Sequence, residues 1–251
     1  MEDIYNIDLT DFSTLLILYG SILAILLIRY FFISGLYYGV FLVLFKEKYK
    51  DRVLTRKMPS QDQIKRELKL SIYSTFVFGA VTIGLIWIWQ QGYTQVYTDP
   101  YQYPLWYMPI SIVIFLLLHD TYYYWLHKWM HHSRWLIKVH NAHHQSVNTT
   151  VWTSFSFHPV ESFLQAIIVP VLLVLVPMHP IAILIVLLIM TVSAIINHAG
   201  VEVYPGKPSF DKFRKYVIGA THHDIHHRRA NKNFGLYFTF WDRWMKTEYE
   251  G

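Results

Sequence analysis

The stretch that decides the fold reads SFLQAIIVPVLLVLVPMHPIAILIVLLIMTVSAIIN, residues 162–197, and it contains no Asp, Glu, Lys or Arg. A helix rises 1.5 Å per residue, and about 20 apolar residues cross the hydrocarbon of a bilayer. This run is therefore long enough for two short membrane-embedded helices. Pro177 and Pro180 interrupt it near its middle and predict a turn between antiparallel helices. Since such a hairpin returns to the side from which it started, both of its flanks are predicted to lie on one face of a membrane.

Three more apolar runs precede this hairpin. They are residues 12–45, which carry only Arg29 as a charge, residues 70–89, and residues 105–118. We expect a break near Gly35 in the first run. The chain is 53% hydrophobic and has no cysteine, which excludes disulfides, thiolate ligands and iron–sulfur clusters. The sequence predicts an all-α polytopic membrane protein with about four to five membrane-embedded helices and a cytosolic helical cap.

Charge sets the predicted orientation. Eight Lys and Arg residues lie between Lys46 and Arg66, so this loop is predicted to be cytoplasmic and the acidic N-terminus external. An acidic N-terminus is unlike a cleaved secretory signal, so the first apolar run should remain as an anchor. Counting spans places residues 90–103 outside and the C-terminus inside. The net charge of +5 is typical of loops beside anionic lipid and does not indicate nucleic-acid binding.

All fourteen histidines lie between His119 and His227, mostly in three clusters: HKWMH (127–131), HNAHH (140–144) and HHDIHH (222–227). Offsets of three and four residues place side chains on one helix face. So many imidazoles exceed what one tetrahedral zinc uses, and they favour two metal ions. The alternative is a stack of buried or interfacial histidines. The candidate ligands are His127, His131, His140, His143, His144, His198, His223, His226 and His227, with His222 as a further candidate that could replace His223.

Other polar residues are candidates for supporting roles. A metal-bound histidine usually donates its second N–H to a carboxylate or carbonyl. His179 lies in the hairpin turn and is expected to be structural, and His132 should point away from the cluster. His119 could either support a metal-bound ring or simply pack in the interior. Asp120 and Glu161 lie close to the apolar runs and could instead pair with Lys or Arg at the membrane interface. The candidates for the supporting shell are Asp120, His158, Glu161, Asp224 and Asp242.

The histidine clusters belong to a longer ordered series of motifs. The series runs from residue 112 to 248 and includes HDTYYYWLHKWMHH, HNAHH, FHPVE, NHAG, HHDIHH and NFGLYFTFWDRW. It resembles the fatty acid hydroxylase/sterol desaturase superfamily, and QIKRE at residues 63–67 resembles its sterol C5-desaturase branch. The resemblance implies a non-haem site with two Fe²⁺ ions bound by the histidine motifs, His198 among them. It assigns His158 and Glu161 to a His-Pro-x-Glu motif that is not a ligand pair.

The resemblance also implies a function. The expected domains are an N-terminal membrane region, residues 1–111, and a catalytic region, residues 112–249, joined in one structural unit. The expected activity is O₂-dependent hydroxylation or desaturation of a sterol or fatty-acyl lipid at a site facing the cytoplasm, in the inner membrane of a bacterium or the endoplasmic reticulum of a eukaryote. Because no flavin, nicotinamide or haem module is recognisable, a separate donor such as cytochrome b5 or ferredoxin with its reductase should supply two electrons.

Two other functions are compatible with a histidine-rich membrane chain. A metal transporter would place its histidines within the spans, along an ion path. A b-type electron carrier would need only two axial histidines. The position of the clusters at the ends of apolar runs favours the oxygenase.

Overall fold

The computed structural model describes residues 7–55, 57–206 and 208–249, and for Asp211 the backbone alone. Three helical runs are long and apolar enough to cross a membrane: Phe12–Leu44, Gln61–Gln90 and Pro180–His198. Within the described residues, extended structure is limited to three isolated β-bridges. The prediction of an all-α polytopic membrane protein is confirmed.

Eleven α-helices form the described chain. They are α1 (Phe12–Tyr37), α2 (Lys46–Tyr49), α3 (Gln61–Gln90), α4 (Tyr107–His132), α5 (Leu136–His144), α6 (Pro159–Ala166), α7 (Ile168–Leu175), α8 (Pro180–His198), α9 (Asp211–Tyr216), α10 (Ala220–Arg229) and α11 (Phe240–Trp244). Two of the long helices, α1 and α3, begin at side-chain caps: Asp11 accepts from the Thr14 amide and Ser60 from the Gln63 amide.

The first span does not break near Gly35, so that expectation was wrong. α1 passes through Gly35 and continues as a π-helix, Tyr38–Leu44. A glycine within a helix costs only about 1 kcal/mol, whereas a free backbone amide in hydrocarbon costs more. The helix is also held on both sides of the glycine, because Ser34 donates to the Val151 carbonyl and Tyr37 is buried. The change from α-helix to π-helix therefore occurs after Tyr37, beyond the residues that are held.

The predicted hairpin is present and turns at residues 176–179, between α7 and α8. The turn pairs with the loop that follows α3, since the Tyr97 amide donates to the Met178 carbonyl at 3.2 Å. The first limb is split at Ile167 into α6 and α7. Pro170 explains the split, because it has no N–H for the carbonyl four residues earlier.

Two apolar segments add membrane-facing surface without meeting the requirements for a full span. One is the pair α6 and α7. The other is the first half of α4, where Val113 is 54% exposed and Leu117 41% exposed. The second half of α4 carries the first histidines and becomes buried.

The ends of α4, α5, α8 and α10 meet on one face of the bundle. The segment between α5 and α6 is fixed to the membrane helices by buried polar contacts. Thr150 donates to Glu67 at 2.7 Å, and Gln63 donates both to Glu67 and to the Asn148 carbonyl. The Tyr30 hydroxyl reaches the Trp152 carbonyl at 2.8 Å. These contacts hold the histidine-bearing cap against α1 and α3.

Candidate metal centre

Five histidines from three helices form the first group: His127 and His131 of α4, His140 and His144 of α5, and His226 of α10. Their Nε2 atoms face one another. The Nε2–Nε2 distance is 3.1 Å from His127 to His140 and 3.0 Å from His140 to His144. It is 3.1 Å from His144 to His226 and 3.2 Å from His226 to His131. The five nitrogens therefore surround one point.

Four further histidines form the second group: His143 of α5, His198 at the end of α8, and His223 and His227 of α10. Nε2 of His198 lies 3.1 Å from that of His143 and 2.9 Å from that of His223. Nε2 of His223 lies 3.2 Å from that of His227. All nine candidate ligands that the sequence indicates are thus brought together, in sets of five and four.

Within one helix, the spacing accounts for which rings share a group. Each pair four residues apart stays in one group, as with His140 and His144 on α5 and with His223 and His227 on α10. The remaining ring of the same helix, His143 or His226, belongs to the other group. The two groups are neighbours, because the ring centroids of His144 and His227 are 4.7 Å apart. The helices α5 and α10 therefore link two adjacent sites.

The geometry fits metal ions. Metal–imidazole bonds of about 2.1 Å at right angles place neighbouring nitrogens about 3.0 Å apart, and the measured Nε2 distances are 2.9–3.2 Å. Burial lowers the pKa of His131 to about 3 and that of His144 to about 4. Neutral rings keep a lone pair for a metal, whereas facing lone pairs without a cation would repel. Each group can thus hold one ion and leave a coordination position open.

The Nδ1 atoms of five rings point to protein acceptors, which fixes the tautomer with Nε2 unprotonated. Four of these acceptors are backbone carbonyls. The fifth is Glu161, whose Oε1 lies 2.8 Å from Nδ1 of His140 in a fully buried pair. The carbonyl pairs are His127 with Phe234, His143 with Ser156, His198 with Ala194, and His226 with Lys232.

The other acidic candidates contact backbone or arginine instead of rings in the groups. Asp120 accepts from the Tyr237 amide at 2.7 Å. Asp242 accepts from the Phe234 and Gly235 amides, each at 2.9 Å. Both residues therefore hold the segment between α10 and α11, whose carbonyls at 232 and 234 orient two of the rings. Asp224 pairs with Arg228 one turn later on α10.

The remaining histidines lie outside the two groups. His222 packs 3.6 Å from Asp242, so the structure places His223 rather than His222 among the converging rings. His158 and His179 cap the N-termini of α6 and α8, each just before a proline. His132 bonds the Lys128 carbonyl and is exposed. His119 pairs with the Tyr237 hydroxyl at 3.0 Å.

An apolar cavity that sequence analysis did not locate lies beside the second group. Its empty space is about 1020 Å³, a figure that includes the open space at its mouth. His198 forms part of its wall, together with His119, Tyr123 and Tyr237. One face of α8, from Leu187 to His198, lines it over roughly 16 Å. The sequence does hold one indication of this cavity: Arg29, the single charge in the first apolar run, lies in the cavity wall.

The chain is similar in sequence to several known proteins. Lathosterol oxidase of Homo sapiens is 29% identical over 221 residues, which cover 86% of this chain and 69% of that protein. Lathosterol oxidase of Rattus norvegicus is 30% identical over 219 residues, with the same coverage. Delta(7)-sterol 5(6)-desaturase of Gibberella zeae is 26% identical over 184 residues, 73% of this chain and 55% of that protein. No solved structure shows significant similarity.

The family assignment rests on the region that carries the histidine groups. Residues 112–247 match the fatty acid hydroxylase family. The relatives are oxidoreductases, and the family's catalysis depends on iron. The three apolar spans make this chain an integral membrane protein, and its cavity is suited to a lipid. The chain therefore belongs to the fatty acid hydroxylase family and is a membrane oxidoreductase of the lipid hydroxylase and desaturase class.

Proposed function

We propose that this protein is a di-iron oxygenase that attacks an unactivated C–H bond of a membrane lipid, of sterol or fatty-acyl type, by hydroxylation or desaturation. The observation that carries the proposal is the pair of adjacent histidine groups, one of which borders the apolar cavity through His198. The relatives named for sterol desaturation support the sterol type.

The nine histidines are the proposed ligands. His127, His131, His140, His144 and His226 would hold one ion, and His143, His198, His223 and His227 the other. Bound iron would supply the activation of dioxygen. The protein's own part is to fix the rings through their Nδ1 contacts, to keep water from the cavity and to position the lipid beside His198. Residues 112–249 are the proposed catalytic region, and α1 and α3 of the N-terminal region complete the cavity wall.

The reaction consumes one O₂, two electrons and two protons. In hydroxylation, one oxygen atom enters a C–H bond to give an alcohol and the other leaves as water. In desaturation, the lipid loses two hydrogens and both oxygen atoms leave as water. The electrons must come from a separate carrier such as cytochrome b5 or ferredoxin with its reductase. Exposed cations beside the first group, including Arg134 and Lys138, favour an acidic carrier.

The proposed orientation places the histidine groups on the cytoplasmic face. The loop after α1 is the most basic segment of the chain and lies on the same face of the bundle as the groups, because Gln63 of α3 contacts the Asn148 carbonyl. The hairpin turn and the loop after α3 would then lie outside.

Metal content separates this function from its rivals. Protein expressed with iron should carry about two irons per chain by elemental analysis. Replacing His143 or His226 with alanine should lower iron content and activity together, because each ring belongs to a different group. His179→Ala is the matched control: it removes a helix cap of about 1 kcal/mol at the opposite end of α8 and should leave iron unchanged.

A single zinc without iron would contradict the di-iron proposal. A haem Soret band would instead favour the electron carrier, although nine converging nitrogens exceed the two axial ligands of haem. The transporter is disfavoured because the rings are fixed in closed groups and do not follow a path across the spans. Label from ¹⁸O₂ in a lipid product would identify a hydroxylase, and a new double bond formed only with O₂ and reductant would identify a desaturase.

A further inference from the structure

Arg29 is the single charged side chain between Phe12 and Leu44, in the middle of the most apolar part of α1. Leu26 and Arg29 lie three residues apart on one helix face, and both line the cavity. The opposite side of α1 faces lipid, where Ile28 is 67% exposed and Phe32 is 66% exposed. The arginine thus points to the interior of the protein and not to the surrounding bilayer.

The described part of the protein supplies no counter-charge for this guanidinium. Its Nε atom is buried and has no hydrogen-bond partner. The described residues that line the cavity include no carboxylate. The hydroxyls of Thr82 and Thr191 on the cavity wall donate to carbonyls of their own helices. The guanidinium is therefore left with unused donors aimed at an apolar space.

An arginine side chain does not lose its proton in proteins, and an unpaired charge within a membrane is energetically unfavourable. A ligand that enters the cavity can remove that cost by bringing an anion. We propose that Arg29 binds the negatively charged end, a carboxylate or a phosphate, of the lipid that the cavity accepts. This inference rests on the proposed function in taking the cavity as the substrate site. A neutral hydroxyl, such as that of a sterol, would leave the charge of Arg29 uncompensated. The inference therefore selects the fatty-acyl type from the two lipid types of the proposed function, against the sterol type that the names of the relatives support.

The helix register places this charge away from the metal centre. Tyr37 of α1 packs with Ile195 and Ala199, which flank His198 on α8. Arg29 precedes Tyr37 by eight residues, or roughly 12 Å along the helix axis. A lipid held by Arg29 at its charged end would therefore present to His198 a carbon remote from that end. The anion fixes the depth of the lipid, and the apolar wall guides the rest of it.

Ligand binding to the iron-loaded protein in a non-ionic detergent tests this inference. The probes are oleate, oleyl alcohol, oleoyl lysophosphatidate and a neutral 3-hydroxysterol. Oleate should bind about tenfold or more tightly than oleyl alcohol, its matched alcohol. This difference in affinity corresponds to one charge-assisted hydrogen bond. Preference for oleate would identify a carboxylate as the recognised group, and preference for lysophosphatidate a phosphate.

Variants assign the preference to the residue. Arg29→Gln should remove the difference between anion and alcohol without changing iron content, and Arg29→Lys should keep most of it as a point charge. Lys69→Gln is the matched control, because it removes an exposed cation from α3. It should leave the preference unchanged.

Two outcomes would overturn the inference: equal affinity of the wild type for the anions, the alcohol and the sterol, or an anion preference that survives in Arg29→Gln. Neither outcome depends on the oxygenase activity. A purified protein without two irons per chain would instead refute the proposed function, and the binding preference could still be measured and interpreted.

Discussion

The contact between Glu161 and His140 gives the sharpest test of how the protein supports its metal site. Glu161 is fully buried, and its Oε1 accepts from Nδ1 of His140 at 2.8 Å and from the side-chain Nε2 of Gln165 at 2.9 Å. Glu161→Ala would leave both donors without an acceptor and free the ring to turn. Loss of such a partner typically lowers metal affinity 10- to 100-fold. Because His140 is buried and the neighbouring donor Gln165 also loses its acceptor, we expect iron binding to weaken by about 100-fold.

Glu161→Gln separates charge from hydrogen bonding at the same position. The amide oxygen can still accept from Nδ1, but an amide cannot take the negative charge by which a carboxylate increases the basicity of a ring that it contacts. Iron affinity should therefore fall by only about tenfold, the lower end of that range. The measurement is iron retention against a series of chelator concentrations, with melting of the iron-free protein recorded beside it.

His158→Ala is the control for this pair of variants. His158 caps α6, the helix that carries Glu161, by accepting from the Val160 amide. Its loss should lower the free energy of unfolding by about 1 kcal/mol and leave iron affinity unchanged. The reasoning is refuted if Glu161→Ala retains iron as the wild type does, or loses no more iron than His158→Ala.

Three further expectations concern the backbone, the packing of the cap and the orientation. Gly235→Ala should destabilise the protein by about 1–3 kcal/mol in thermal melts, because a Cβ there would lie 2.7 Å from Ile218 Cδ1; an unchanged melting temperature would contradict this. Tyr30→Phe should cost about 1 kcal/mol, since its hydroxyl joins α1 to the segment after α5, and denaturant titration measures it. In intact cells an impermeant thiol reagent should label a cysteine at Gln95 but not one at Ser209, both of which are exposed; labelling of Ser209 alone would reverse the proposed topology.

Absence of charge predicted the membrane fold, because a bilayer excludes charged side chains whatever the details of packing. The same reasoning could not predict where helices end. Gly35 looked like a break, yet the helix passes it, since neighbouring anchors and lipid both favour continued hydrogen bonding. Pro177 and Pro180 predicted the turn of the hairpin, but the division of its first limb at Pro170 was not predicted. The local sequence indicates how unfavourable a residue is within a helix, but tertiary contacts determine where the helix ends.

For the site, the histidine spacing indicated eight of the nine converging rings, because an offset of three or four residues fixes which side chains share a helix face. His198 is a single histidine, and it was indicated by its place at the end of the hairpin and by the family resemblance. The spacing also left His222 open as a replacement for His223 and did not predict the grouping. It could not sort the rings into sets of five and four, since that depends on which helices face each other. Nor could it separate Glu161, which contacts a ring, from Asp120, which accepts backbone amides. Both are buried acids near histidine motifs, and only the three-dimensional arrangement distinguishes them.

The segment between α10 and α11 shows how buried acids can serve a metal site without touching a ligand. Asp120 and Asp242 accept the amides of residues 234–238, which fixes a loop that has no helix of its own. With its amides held, the loop presents the carbonyls of Lys232 and Phe234 to Nδ1 of His226 and of His127. A carbonyl orients an imidazole without placing a full charge on it, so these acids set ring direction without contacting the rings. Of the five rings whose Nδ1 atoms contact an acceptor, only that of His140 contacts a carboxyl group, which belongs to Glu161. His140 is therefore the ring whose basicity a nearby carboxyl can tune.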